Sequence, residues 1–294
     1  TNFDIMNSAL ITVKSLTTRL RTELADYYHP RELNAIINMV ISHISSKDRV
    51  FLLANPNHRI PEINSTKVRK ICDDLKNRVP VQYIIGETEF YGKKYKVSNE
   101  TLIPRPETEE LVDLVINECR DKHPSVLDIG TGSGCIAISL YLNIKEARVS
   151  ASDISPAAIE VAAANAEMNE ADINFIEDNI LDPVINKYGQ YDVVVSNPPY
   201  ITVSEKKYMN KNILEYEPHI ALFVPDDNAM KYYTAIIELC RKVLKLGGGL
   251  YLEINENRAG EIVDLMKKYN YSDISIVSDI NNKKRIAGGR KNET

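Results

Sequence analysis

In RELNAIINMVISHI (31–44) the apolar residues Leu33, Ile36, Ile37, Val40, Ile41 and Ile44 recur every three or four positions, which predicts a helix with one apolar stripe. A second stripe, Val68, Ile71, Cys72, Leu75 and Val79, follows Ser65, an expected N-cap. ANPNHRIPE (54–62) lies between them and reads as a loop on its two prolines. Residues 1–76 are therefore expected to form a small helical domain.

The texture changes after that. Over 79–109 apolar and polar residues alternate among aromatics, with Gly86 and Gly92, which predicts a short β-hairpin. Pro104 and Pro106 stop any strand before a helix starting near Glu107. We take 77–105 as hairpin and linker, and 106–294 as one domain. There, strand-like runs (SVLDIG, ARVSASDI, INFIED, YDVVVSN, GLYLEI, DISIVSD, KRIAGG) alternate with helical ones, including 155–170 and 226–246. Gly247–Gly249 reads as the stop of the last long helix. The alternation predicts an α/β fold, a seven-stranded and mostly parallel sheet wrapped by helices. The last two strands have only a short polar connection, so the final strand is expected to run antiparallel.

Chemistry concentrates at the strand ends. VLDIGTGSG places Gly130, Gly132 and Gly134 in a strand-to-helix turn, where missing side chains let a ligand approach the backbone. The same glycines also suit plain strand–helix packing. Asp128 either orients that turn or faces a charged ligand tail. Asp153 ends the second strand of this domain, where a carboxylate accepts from ribose hydroxyls, although it is also placed to cap the helix after Ser155-Pro156. Asp178 and Asn179 end the third, either one an acceptor for an adenine amino group or a turn former. These parts suit a nucleoside without a long phosphate chain, and S-adenosylmethionine is the natural candidate.

The fourth strand runs into Asn197-Pro198-Pro199-Tyr200. The prolines fix φ and lack an N–H, and Pro198 pushes Asn197 toward an extended backbone. The Asn197 side-chain oxygen and the Pro198 carbonyl then make a cluster of acceptors beside the Tyr200 ring. Such a cluster suits a planar NH2 group, with its two hydrogens bonded and its nitrogen facing a methyl donor. The bland alternative is a turn closing a buried strand, with Tyr200 a core aromatic.

Composition narrows the field. The 294 residues carry a net charge of −5, against a protein that grips a long nucleic-acid backbone, although NKKR (282–285) is a local basic patch. Four scattered cysteines without a CxxC pair, and dispersed histidines, argue against a metal site or a disulfide framework. No apolar run is long enough to span a membrane and the N-terminus lacks a signal-peptide core, so a cytoplasmic protein is expected.

DIGTGSG and NPPY together resemble the class I, Rossmann-like methyltransferases that act on planar amino groups. VPVQYIIGETEFYG, LIPRPETEELV, YEPHIAL and RIAGGR narrow the resemblance, over about residues 79–290, to the HemK/PrmC family of peptide chain release factor glutamine N5-methyltransferases. That resemblance implies S-adenosylmethionine as donor and the glutamine of the release factors' GGQ loop as acceptor. It implies that Asn197, Pro198, Pro199 and Tyr200 receive the amide, with Asn197 also bordering the donor. Gly130, Thr131, Gly132, Ser133 and Gly134 would surround the donor's methionine part, and Asp153 its ribose. Phe90 in EFYG is similar to an aromatic packed beside the site, Arg105 and Glu107 to the family's interdomain lining, where Arg105 would meet a carbonyl of the substrate loop, and Glu217 to a loop anchor. Many family members have an aromatic where this chain has Asn179, so Asp178 is the alternative adenine contact. The helical region is expected to clamp the release factor. An N6-adenine nucleic-acid methyltransferase, a ribosomal-protein glutamine methyltransferase and a non-catalytic release-factor adaptor are the competing readings.

Overall fold

A computed structural model describes residues 11–60, 65–120 and 122–293. The chain divides between Gly86 and Glu87 into two compact units. The first contains β1 (Ile11–Thr12), α1 (Val13–Leu24), α2 (Pro30–Ser45), α3 (Arg49–Ala54), β2 (Arg59–Ile60), α4 (Ser65–Lys76) and α5 (Val81–Ile85). Thr12 and Ser15 form a capping box at the start of α1, and Pro30 opens α2 where its missing N–H costs nothing. Leu16, Leu20 and Leu24 of α1 bury against Leu33, Ile37, Val40 and Ile41 of α2 and Val68, Ile71, Cys72 and Leu75 of α4. Both expected stripes thus face this core, with Val79 beyond the end of α4 and half-buried.

Three local expectations change. The loop over 54–62 contains β2, paired antiparallel with β1, while 61 and 62 lie outside the described residues. The side chain of Ser65, the expected cap of α4, lies outside them too. A helix, α5, stands where a hairpin was expected to begin. Pro80 presets its start, Val81, Ile84 and Ile85 pack on the helical core, and left-handed Gly86 ends it.

The second unit opens with the hairpin itself, β3 (Glu87–Phe90) and β4 (Lys93–Lys96). Then come α6 (Pro106–Glu118), β5 (Ser125–Ile129), α7 (Cys135–Asn143), β6 (Arg148–Asp153), α8 (Pro156–Met168), β7 (Ile173–Glu177) and β8 (Tyr191–Ser196). After β9 (Ile201–Thr202), α9 (Lys211–Tyr216) and β10 (Phe223–Val224) follow α10 (Lys231–Val243), β11 (Leu244–Glu253), α11 (Ala259–Lys268), β12 (Tyr271–Ser278) and β13 (Lys284–Lys291). The sheet order is β12-β13-β11-β8-β5-β6-β7. β5 to β8 and β11 are parallel neighbours, and β13 is antiparallel to both β11 and β12. This is the expected seven-stranded α/β sheet. Gly247 to Gly249 do not stop α10, which already ends at Val243. They sit in β11, where its register with β8 shifts between Leu244 and Gly249.

Strand alternation assigns the faces. Val126, Val193, Val195 and Tyr251 join one core with Leu111, Val112 and Val115 of α6 and Ile136 to Ile138 of α7. Leu127, Ile129, Val194, Leu250 and Leu252 join the other with α10 and α11. Each fully buried Leu, Ile or Val contributes about 1.5–3 kcal/mol. Because side chains alternate, Asp128, Asn197 and Glu253 fall on the α6/α7 side of the sheet. Registers Ile129 with Ser196 and Ser196 with Leu252 then bring the ends of β5, β8 and β11 side by side.

Candidate active site

β5 is flanked by β6 and β7 on one side and by β8 and β11 on the other, so the connections diverge at its carboxyl end. A crevice is expected at such a switch point. One is present. Gly130, Gly132, Ser152, Asp153, Ile154, Asp178, Asn179, Asn197, Pro198 and Pro199 line a single cavity, with Ile220 and Tyr232 among its further walls.

The glycine turn divides its labour. A side chain at Gly130 or Gly132 would meet nothing within 4 Å, so both leave room for a ligand beside the backbone. At Gly134 a Cβ would stand 3.1 Å from both Ala162 and Ile138, so this glycine lets α7 approach α8. The packing reading of the turn thus fits Gly134, and Gly130 and Gly132 have the open space that the ligand reading requires. Asp128 is fully buried behind it and accepts from the Thr131 hydroxyl at 2.6 Å. Burial pushes its carboxyl up to about 7, against the pull of that hydrogen bond. Its Oδ1 has no hydrogen-bond partner. Ser133 is buried, and its carbonyl accepts from Asn165 Nδ2 at 2.8 Å.

Asp153 ties two loops together. Its Oδ2 accepts from Gly132 N–H at 2.9 Å and its Oδ1 from Ser155 N–H at 3.0 Å. Burial raises its carboxyl above the usual range while these amides oppose the shift. Ser155 itself caps α8 through the Ala158 N–H. Asp178 Oδ2 accepts from Tyr188 hydroxyl and Val184 N–H, and Lys187 sits 3.3 Å from its Oδ1. Asn179 Oδ1 accepts from Leu181 N–H. Both residues shape the turn and also line the cavity.

On the other side of the cavity, Asn197 Nδ2 donates to Thr108 Oγ1 at 3.2 Å, and Thr108 Oγ1 donates to Glu253 Oε2 at 2.7 Å. Tyr200 hydroxyl donates to the second oxygen, Glu253 Oε1, at 3.0 Å. Tyr200 packs against the α10/α11 core and stands off the cavity lining, and burial pushes its phenol well above the ordinary range. Glu253 is buried, which holds its carboxyl above the usual range, against the two hydroxyl donors and the nearby Arg285. Sequence reasoning passed over Thr108 and Glu253. The available signal was a carboxylate closing the otherwise apolar run GLYLEI.

Asp128, Thr131, Ser133 and Gly134 stand off the cavity lining, and Phe90 and Arg105 are not brought to it either. Phe90 is buried in the core, edge-on to Tyr95 with ring centroids 6.0 Å apart. Arg105 makes a two-oxygen ion pair with buried Glu217, at 2.7 and 2.6 Å. Glu217 is thus an anchor for its loop, and Arg105 is its partner. In the basic patch, Lys283 pairs with Glu256 and Arg285 with Asp279.

The residues present fit S-adenosylmethionine. Gly130 and Gly132 leave a cradle that side chains would fill, Asp153 lines the cavity as a hydroxyl acceptor next to apolar Ile154, and Asp128 keeps an unpartnered oxygen behind the turn.

Residues 16–86 match the PrmC N-terminal domain and 108–217 the methyltransferase small domain. A release factor glutamine methyltransferase of Flavobacterium psychrophilum is 42% identical over 91% of this chain and 95% of its own length. The chain belongs to the release factor glutamine methyltransferase family. A second member, from Bacteroides thetaiotaomicron, is 38% identical over 92% of this chain and 97% of its own. A methyltransferase from Pyrococcus furiosus shares the fold of the sheet domain, with a TM-score of 0.51 at 18% identity over 69% of this chain and 91% of that one.

Proposed function

We propose that this enzyme methylates the side-chain nitrogen (N5) of the glutamine in the GGQ loop of class 1 peptide chain release factors, using S-adenosylmethionine. One observation carries the reading: Asn197 and Pro198 line the same cavity as Gly130, Gly132 and Asp153. When bound, the donor supplies an electrophilic methyl group on a sulfonium.

Asn197 Oδ1 and the Pro198 carbonyl accept the two hydrogens of the glutamine NH2. An amide nitrogen is a weak nucleophile because its lone pair is delocalised, the same resonance that gives a rotation barrier of roughly 18–20 kcal/mol. Acceptors on both hydrogens hold the amide plane in one orientation and favour the positive charge that grows on nitrogen. The proton leaves after transfer, so a base in advance is not required. Gly130 and Gly132 admit the methionine part of the donor, Asp153 accepts from its ribose hydroxyls, and Asp178 or Asn179 meets its adenine. Tyr200 supports the motif from behind through Glu253.

The helical unit is assigned to release-factor recognition. The pairing of Lys283 and Arg285 with acidic neighbours, and the net charge of −5, favour a protein acceptor over nucleic acid. An acceptor that works on the ribosome assigns the enzyme to the cytoplasm. Among the described residues no helix is long and apolar enough to cross a membrane.

Mass analysis of release factor after incubation with enzyme and donor tests the proposal. One added methyl group on the GGQ glutamine is expected. An unmodified glutamine, or label found instead in DNA or a ribosomal protein, would overturn it.

A further inference from the structure

The Asn197 carboxamide has two ends of similar size and opposite polarity, and only one of them can receive an NH2 group. If its own NH2 faced the cavity, donor would meet donor. Resting on the reading of Asn197 given above, we infer that Thr108 and Glu253 are positioning residues that fix which end of this carboxamide faces the substrate.

The argument is one of proton count. Glu253 is 2% exposed, and its two oxygens each receive a hydroxyl, from Thr108 and from Tyr200. The single Thr108 proton is donated to Glu253 Oε2, 2.7 Å away. Thr108 Oγ1 is then left with lone pairs alone for its other neighbour, Asn197, 3.2 Å away. A hydroxyl in that state accepts from an N–H and repels a carbonyl oxygen. Nδ2 must therefore turn to Thr108 and Oδ1 to the opposite side. The direction of one buried hydroxyl bond is thereby relayed into the orientation of the carboxamide. Thr108 is 2% exposed in the first turn of α6, and Glu253 follows Leu252, the register partner of Ser196. Neither side chain is in the cavity lining, so both act through Asn197.

Thr108→Val keeps the shape and removes the hydroxyl. It is expected to lower kcat about tenfold to a hundredfold, with donor Kd close to that of the parent and a melting temperature lowered by the loss of a buried partner for Glu253. Thr108→Ser restores the hydroxyl and is expected to recover most of that loss. Adding Thr108→Val to Asn197→Ala should cost nothing further, because the relay then has nothing to orient. Parental turnover in Thr108→Val, or a loss that multiplies with that of Asn197→Ala, would overturn the inference.

A second measurement needs no turnover. In isotope-labelled protein the Asn197 side-chain amide protons are expected to exchange slowly with solvent, and quickly in Thr108→Val and Glu253→Gln. Fast exchange in the parent protein sinks the relay. Failure to methylate release factor with slow exchange intact would instead indict the assigned substrate.

Discussion

The two halves of the cavity are built on opposite plans. On the proposed donor half the polar side chains are held mostly by groups close in sequence: Asp153 by Ser155, Asn179 by Leu181, and Asp178 by Val184 and Tyr188, with Gly132 N–H, 21 positions back, also on Asp153. On the proposed amide half they are held by other side chains far away in the chain. Asn197 depends on Thr108, 89 positions earlier, and Thr108 on Glu253, 145 positions later. A local scaffold survives as long as its own turn does. A distant one requires the sheet order and register to be right first, so the amide half can form only after β5, β8 and β11 have aligned.

This contrast can be broken by substitution. Asn197→Ala should have the largest effect, a fall in kcat on the order of a hundredfold or more, with donor affinity unchanged by calorimetry. Asp153→Ala should do the reverse. Loss of charge-assisted hydrogen bonds worth about 1.5–3 kcal/mol weakens donor binding, and turnover at saturating donor is kept. If either variant altered both quantities equally, the halves would not be separable. Gly134→Ala tests the packing beneath both. The intruding methyl and the positive φ of 80° are expected to cost about 1–3 kcal/mol in chemical denaturation. The smallest effect concerns pH. Burial places the Asp128 carboxyl at about 7. The donor is cationic and favours the ionised form, so affinity should be highest above about pH 7 and weaken several-fold as pH drops through it. In Asp128→Asn the dependence should flatten.

The same contrast explains what could be read in the sequence. The glycine turn, Asp153 and the NPPY run announce themselves within a few residues, and strand alternation placed them at one edge of the sheet. The division of the turn between Gly134 and the other two glycines was invisible, because it depends on Ala162 of the neighbouring helix. The sequence suggests a substrate-facing Arg105, but its ion-pair partner Glu217 lies 112 positions away. Phe90 looked like a site aromatic, but its burial against Tyr95 follows from the hairpin's packing. α5 was missed because five residues carry too little periodicity to distinguish a helical turn from a strand. Glu253 was passed over because a strand-ending carboxylate shows its partners only when α6 and the NPPY segment converge on it.

Pro198 and Pro199, both in the cavity wall, have a chemical consequence of their own. Neither backbone position there can offer an N–H, and the neighbouring Asn197 nitrogen is turned toward Thr108. A recess built to take an amide, as proposed, is consequently hostile to its hydrolysis product. A release factor whose glutamine has deamidated to glutamate would present negative oxygens to lone pairs, and would pass by unmarked.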